Sequence, residues 1–328
     1  MTTHLLLHTN DVSTKGTDPE QCNYYTYTIT RTWTATDACN NNTSCIQTIT
    51  VQDVTKPVIT CPVNVTANCQ DDLSPTGTGS ATATDNCDNT PAITYNDVST
   101  KGTDPEQCNY YTYTITRTWT ATDACNNNTS CIQTITVQDV TKPVITCPVN
   151  VTANCQDDLS PTGTGSATAT DNCDNTPAIT YNDVSTKGTD PEQCNYYTYT
   201  ITRTWTATDA CNNNTSCIQT ITVQDVTKPV ITCPINVTAN CQDDLSPMGT
   251  GSATATDNCD NTPAITYNDV STKGTDPEQC NYYTYTITRT WTATDACNNN
   301  KLYSDDNGSG CNQASNYMSS KCNSELSG

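Results

Sequence analysis

Apolar and polar side chains alternate along the chain with period two, and nowhere do they take the three-to-four-residue spacing of an amphipathic helix. Within residues 54–139 this pattern predicts short strands over 58–61, 63–67, 81–84 and 92–95, a long strand over 110–122, and a closing strand over 131–137. The long strand puts Tyr111, Tyr113, Ile115 and Trp119 on one face. Thr112, Thr114, Thr116, Thr118, Thr120 and Thr122 lie on the other. Clusters of Gly, Pro, Asn and Asp fill the gaps, as turns require. The expected fold is all-β, with short strands closing into an immunoglobulin-like sandwich.

The pattern recurs. The segment DVSTKGTDPEQCNYYTYTITRTWTATDACNNN begins at Asp11, Asp97, Asp183 and Asp269, a period of 86 residues. The copies differ in details such as Val149 becoming Ile235 and Thr162 becoming Met248. A period of that length is domain-sized, well above a solenoid turn, so tandem domains are expected. The phrase VQDVTKP at 51–57, 137–143 and 223–229 reads as a proline-stiffened linker. It divides the chain into a C-terminal half-repeat (1–53) and full repeats at 54–139 and 140–225. A repeat without its usual last strand (226–300) and a divergent polar tail (301–328) follow. The opening MTTHLLLHTN is too short and too weakly apolar for a secretory signal. The chain is therefore expected to be a fragment or processed piece of an exported protein.

Charge and composition narrow the classes. With 34 acidic against 13 basic groups the net charge is −21, which argues against nucleic acid and anionic membrane surfaces as partners. No apolar run approaches the roughly 18 to 20 residues of a membrane span. Both histidines fall in the first eight residues, leaving the repeats without an imidazole base, so no enzyme is expected. Twenty-two cysteines in a chain without Phe point to a thin core stapled in an oxidising, extracellular compartment.

Zinc does not suit these cysteines, because the repeats hold no CxxC and no His. Strand directions place Cys61, Cys87, Cys125 and Cys131 at one pole of a repeat, and Cys69 and Cys108 at the other. Cys108 and Cys125 are separated by an uninterrupted strand and cannot meet within the roughly 7 Å that a disulfide needs. Pairing inside each repeat then predicts Cys61–Cys131, Cys69–Cys108 and Cys87–Cys125. The copies are Cys147–Cys217, Cys155–Cys194, Cys173–Cys211, Cys241–Cys280 and Cys259–Cys297. Cys45 and Cys233 lack an intra-repeat partner and are candidates for an interchain bond.

The strongest functional constellation is acidic. Asp53 in the entering linker, Asp85 and Asp88 in TATDNCDN, and Asp123 in TATDACNNN are expected at one domain junction. Their equivalents are Asp139, Asp171, Asp174 and Asp209, then Asp225, Asp257, Asp260 and Asp295. Converging carboxylates repel unless a cation relieves them, and a hard oxygen set suits calcium. The bland alternative is a group of solvated turn residues. N-glycosylation sequons occur at Asn41, Asn42, Asn64, Asn127, Asn128, Asn150, Asn213, Asn214, Asn236 and Asn307, so glycans are a second expected attachment.

The motifs TKPVITCP, TATDNCD, TWTATDAC and SCIQTITVQD resemble the hyalin-repeat (HYR-like) family of immunoglobulin-like domains. Cys61-Pro62, the TATDxC loops and the linker from Asp53 to Pro57 carry the resemblance, which runs to about Asn300. It implies tandem domains of large secreted or surface proteins, including gliding-motility-associated adhesins of Bacteroidota, and carries over no catalytic residues. The expected function is structural and extracellular: a rod or fibre that polymerises head to tail with copies of itself by strand complementation. The alternative is the stalk of an adhesin whose tip, elsewhere, binds cell-surface or glycan ligands. An ice- or mineral-binding threonine face is a weaker reading.

Overall fold

The computed structural model describes residues 6–240, 243–302 and 312–318. The chain is all-β and repeats at the expected 86-residue period. The half-repeat forms a three-stranded antiparallel sheet: β1 (Leu6–Ser13), β2 (Tyr27–Thr36) and β3 (Asn42–Val51). The second repeat runs β4 (Val58–Thr60), β5 (Val65–Asn68), the short helix α1 (Pro75–Thr78), β6 (Thr82–Thr84), β7 (Ala92–Ser99), β8 (Tyr113–Thr122) and β9 (Asn128–Gln138). These make a two-stranded sheet, β4–β6, and a four-stranded one ordered β5–β9–β8–β7. β5 runs parallel to β9, while the β7–β8 and β8–β9 pairs are antiparallel. The third repeat has the same order.

On β8, odd-numbered side chains point inward and the threonines outward, following the pleat. Trp119, Ala121, Ile135 and Val137 form the core, with Ala81 closing it from the β6 side. Two of the innermost residues are polar. Arg117 donates to Asp97 Oδ1 and Oδ2 at 2.8 Å, to Thr78 Oγ1 at 2.8 Å and to the Leu73 carbonyl at 2.8 Å. Gln133 donates to the carbonyls of Val63 and Thr78, and accepts from Trp119 Nε1. Arg117 shares the parity of Ile115 and Trp119, the one sequence signal of its inward direction. Thus the Phe-free core is filled by a satisfied hydrogen-bond network rather than by more hydrocarbon.

Two local departures have plain causes. β8 begins at Tyr113 because Cys108–Tyr110 forms a single 3-10 turn, closed by Tyr111 N–H donating to the Cys108 carbonyl at 2.9 Å. The helix Pro75–Thr78 is built from end signals rather than periodicity. Ser74 caps it, Pro75 opens it, and Gly79 closes it at φ 93°, a conformation that favours glycine.

Two of the expected cysteine pairs are present, and the others differ. Cys61 bonds Cys131 and Cys147 bonds Cys217, tying each two-stranded sheet to its four-stranded partner. The other bonds run between repeats: Cys22–Cys125, Cys69–Cys173, Cys108–Cys211, Cys155–Cys259 and Cys194–Cys297. They replace Cys69–Cys108, Cys87–Cys125, Cys155–Cys194, Cys173–Cys211 and Cys259–Cys297. Cys69 follows β5 and Cys108 follows β7, at opposite edges of one sheet. At about 4.8 Å per strand they stand on the order of 10 to 15 Å apart, beyond disulfide reach. Each instead meets a cysteine at the facing pole of the next repeat. Cys241 lies outside the described residues, and its expected partner Cys280 is disulfide-bonded. Cys233 is also disulfide-bonded within the chain, which removes it from an interchain bond with Cys45. Cys39, Cys45 and Cys87 are the free cysteines among the described residues.

The fourth repeat has a strand in the place expected to be empty. Asn312–Met318 pairs parallel with Thr238–Asn240 and antiparallel with Thr286–Thr290, the position β9 holds in the second repeat. Among the described residues, that strand position is therefore filled from within the chain.

The chain divides into two compact units. The first comprises Met1–Val144 with Thr170–Ala178 and Thr208–Asn214, and the second comprises Ile145–Ala169, Ile179–Ala207 and Thr215–Gly328. The loops holding Cys173 and Cys211 fall in the first unit because Cys69 and Cys108 bond them there.

Candidate functional site at the repeat junctions

Each junction is assembled from three short segments with strong local preferences. The linker aspartate is fixed at the end of the last strand. Asp139 donates its N–H to Thr112 Oγ1 at 3.1 Å, and its Oδ1 accepts from Thr141 N–H at 3.2 Å. In TATDNCDN, Asp85 Oδ1 accepts the N–H groups of Cys87 and Asp88, the side chain-to-backbone turn that Asp forms readily. In TATDACNNN, Asp123 Oδ1 accepts from the N–H groups of Cys125 and Asn127, and Asn126 adopts φ 63°, which Asn tolerates better than most residues. One oxygen of each carboxylate therefore holds a loop.

The linker aspartate and the first aspartate of TATDNCDN converge with a cysteine, while Asp123, Asp209 and Asp295 stand outside these close groups. Carboxylate oxygens of Asp53 and Asp85 and the Cys87 sulfur lie within 4.8 Å of one another, as do those of Asp139, Asp171 and Cys173, and of Asp225, Asp257 and Cys259. The Oδ2 atoms of Asp53, Asp85, Asp139, Asp171, Asp209, Asp225, Asp257 and Asp295 are buried without a hydrogen-bond partner. Asp53, Asp139, Asp209, Asp225 and Asp295 are buried as whole residues. Burying an unpaired carboxylate oxygen costs more than nearly any other polar burial. Asp123, like Asp37 but unlike Asp209 and Asp295, has its Oδ2 accepting from an asparagine, Asn127 Nδ2, at 2.9 Å.

Electrostatics follows the geometry. Burial raises the Asp53 carboxyl above its ordinary range, and Asp85 and Asp123 add to the rise. Asp139 is raised first by burial and then by Asp171 and Asp209. Asp225 is pushed up to about 6, by burial first and then by Asp257, Asp295 and Asp260, against a Thr227 N–H bond that lowers it. Burial together with Asp53 and Asp85 also raises the free Cys87 thiol.

Asp88, Asp174 and Asp260 have another role. Their Oδ2 atoms accept from the N–H groups of Ala124, Ala210 and Ala296 at 3.0 Å, and their Oδ1 atoms accept from Thr90, Thr176 and Thr262. They brace one loop of the junction against the other. Cys173 and Cys259 are in disulfides and hold no thiolate, so the donor set shared by the junctions is carboxylate oxygen. Such a set fits a hard cation and not a thiophilic one.

The sequons separate by structure. Asn41, Asn42, Asn64, Asn128, Asn150, Asn214 and Asn236 are exposed. Asn127 and Asn213 are half-buried, and their Nδ2 atoms donate to the carbonyls of Asp53 and Asp139 at 3.2 Å, so the atom a glycan would take is engaged. Asn307 lies outside the described residues.

No family model and no curated protein matches the chain, so nothing in these comparisons supports the hyalin-repeat name over other sandwich families. Solved structures similar to it are tandem extracellular domains. Protocadherin Gamma B7 extracellular cadherin domains 1–4 is 13% identical at a TM-score of 0.34, over 96% of this chain and 92% of that one. The Protocadherin GammaB4 extracellular domain is 14% identical at 0.33, over 95% and 60%. The human Desmocollin-1 ectodomain is 15% identical at 0.23, over 92% and 68%. At TM-scores this low, the likeness carries no argument about function.

Proposed function

We propose that this chain is a non-enzymatic, extracellular structural protein whose repeats are joined covalently to carry tension. One observation supports this above the others. Cys22–Cys125, Cys108–Cys211 and Cys194–Cys297 connect the long strands of successive repeats in series. The covalent path leaves Cys22, enters Cys125, runs back along β8 to Cys108, and crosses to Cys211. It then follows the equivalent strand to Cys194 and crosses to Cys297. Load on that path need not pass through hydrogen bonds. A second rail, Cys69–Cys173 and Cys155–Cys259, repeats the device. Disulfides of this number belong in an oxidising compartment.

In this reading calcium occupies the three junctions. The ligands are Asp53, Asp85 and Asp123, then Asp139, Asp171 and Asp209, then Asp225, Asp257 and Asp295. The buried, unpartnered Oδ2 atoms of the other eight support the assignment, whereas Asp123 Oδ2 is held by Asn127 and would have to exchange that bond for the ion. Glycans on Asn64 and Asn150 would sit on exposed positions. Domains are proposed at the linker boundaries 54–139, 140–225 and 226–300, and self-association at the first sheet. The adhesin-stalk reading, with cell-surface or glycan ligands bound elsewhere, uses the same mechanical property.

Single-molecule pulling of the full chain tests the tension-bearing role. At about 3.4 Å per residue, the disulfide path from Cys22 to Cys297 extends to only roughly 130 Å, against roughly 900 Å for the reduced main chain. An oxidised chain that lengthens as far as the reduced one overturns the reading.

A further inference from the structure

The first sheet carries the same inward-facing groups as the second repeat, and among the described residues no segment covers them as 54–86 does there. In the second repeat, residues 54–86 supply that cover. β5 pairs with the edge of β9, Val65 opposite Ile135 and Ala67 opposite Val137. Asn64 Oδ1 accepts Thr134 N–H, Leu73 and Thr78 accept from Arg117, Val63 and Thr78 accept from Gln133, and Cys61 bonds Cys131. Every receiving group has its copy in the first sheet: Ile49, Val51, Thr48, Arg31, Gln47 and Cys45. There β3 is an edge strand. Gln47 and Cys45 are exposed, and the Arg31 side chain is 33% exposed against 2% for Arg117. Arg31 keeps its bonds to Asp11, and neither Arg31 Nη1 nor Gln47 Nε2 has an acceptor among the described residues.

The free thiols fall in the same frame. Cys131 bonds the cysteine 70 residues earlier, and Cys173 and Cys259 bond the cysteine 104 residues earlier. Carried to Cys45 and Cys87, those separations select one pair of partners, spaced as Cys61 and Cys69 are, inside a single covering segment. Cys39 is different. Its equivalent Cys125 bonds a cysteine of the Cys22 type, which no segment like 54–86 contains.

We propose that the open face of the first sheet is a docking site for a half-repeat segment with the chemistry of residues 54–86, anchored by disulfides to Cys45 and Cys87. This rests on the self-association proposed at the first sheet and names its acceptor and the segment that would fill it. The pulling experiment can fail without affecting it.

The probe is a synthetic peptide of the sequence 54–86, with both cysteines carried as mixed disulfides with glutathione, added to the full chain. Each bond forms by exchange. A Cys45 or Cys87 thiolate attacks the peptide sulfur, the new S–S bond replaces the old one, and glutathione leaves as thiolate and takes a proton. The peptide–glutathione disulfide is itself the oxidant, reduced to free glutathione as the new bond forms, so no further oxidant is needed. Once the peptide docks, the second exchange is intramolecular at an effective concentration near millimolar.

The expected product is one peptide per chain, joined through its first cysteine to Cys45 and its second to Cys87, at least about tenfold over adducts at Cys39. A peptide with both cysteines replaced by serine is expected to slow amide exchange in β3, and Gln47→Ala to weaken that protection. Equal adducts at Cys39, Cys45 and Cys87, or no protection of β3 by the serine peptide, overturn the proposal. So does sedimentation as a dimer whose first sheets protect each other, because the occupant would then be another first sheet and not a segment like 54–86.

Discussion

From Asn10 and from Asn96 onward, the first sheet and the sheet of the second repeat are letter for letter the same sequence as far as Asp53 and Asp139. Their strands pair in the same register, Trp33 opposite Cys45 and Trp119 opposite Cys131. Yet Trp119 is 3% exposed and Ile135 and Val137 are fully buried, whereas Trp33, Ile49 and Val51 remain half-exposed. Identical residues thus make identical strands but not identical interiors. Strand formation and register are local, set by side-chain alternation and tight turns. Burial is supplied by the other half of the repeat, and with it most of the stabilisation.

The largest test of that difference is the tryptophan pair. Trp119 fills the core, lies 5.2 Å from the Tyr95 ring and donates to Gln133. Trp119→Ala is expected to cost the second repeat about 3 to 5 kcal/mol, and Trp33→Ala under about 1 kcal/mol. Several domains do not melt as one transition, so amide exchange resolved to β8 and β9 against β2 and β3 is the measurement. Equal losses in the two sheets would mean that the first sheet is covered in solution.

The same contrast explains what could be read from the chain beforehand. Strand positions, the tandem period and the acidic junctions were legible because each rests on local pattern: alternation, repetition, and Asp beside Asn in turns. Arg117 was less legible. A charged residue on an inward-facing position looks like an error until Asp97, Thr78 and the Leu73 carbonyl are seen to satisfy it. Cys61–Cys131 and Cys147–Cys217 follow from the sequence, but the other pairs do not, because strand direction gives the pole and not the repeat that supplies the partner. Cys69 and Cys108 do share one end of the repeat, yet each bonds a cysteine of the next repeat. Among the acids, Asp88 is indistinguishable by sequence from Asp85. Only the Ala124 N–H, 36 residues away, assigns it to bracing.

A second test concerns the carboxylates at the ends of these sheets. Asp225 has a folded value of about 6 against 3.8 for the free side chain, so the folded state holds its proton more tightly. That contribution is complete below about pH 4 and is lost as pH rises through about 6, at most about 3 kcal/mol. With a chelator present, the unit containing Asp225 is expected to resist denaturant better at pH 4.5 than at pH 7. Calcium at pH 7 restores resistance by satisfying the same oxygens, about 2.7 kcal/mol at a hundredfold excess over its dissociation constant. Asp53 is raised for the same reasons and should shift in the same direction. A profile that is flat with pH and unmoved by calcium would leave the junctions as hydrogen-bonded turns.

The smallest effect isolates one ion pair in its two settings. Arg31 and Arg117 make the same two-pronged contact, to Asp11 and Asp97 respectively, at 2.7 to 2.8 Å. The guanidinium in the second repeat is buried, while its carboxylate is about a third exposed. Removing that carboxylate leaves a buried cation with only neutral acceptors, Thr78 Oγ1 and the Leu73 carbonyl. Asp97→Ala should therefore cost about 2 kcal/mol, less than a fully buried pair because water reaches one side. In the first sheet, both partners are already a third or more exposed, and Asp11→Ala should cost far less than Asp97→Ala. Salt sharpens the distinction, since 1 M salt shortens the screening length to about 3 Å and should erase the smaller effect before the larger. If Asp11→Ala proves as costly as Asp97→Ala and as insensitive to salt, the first sheet is not open. Its covering segment should then be sought on the chain itself.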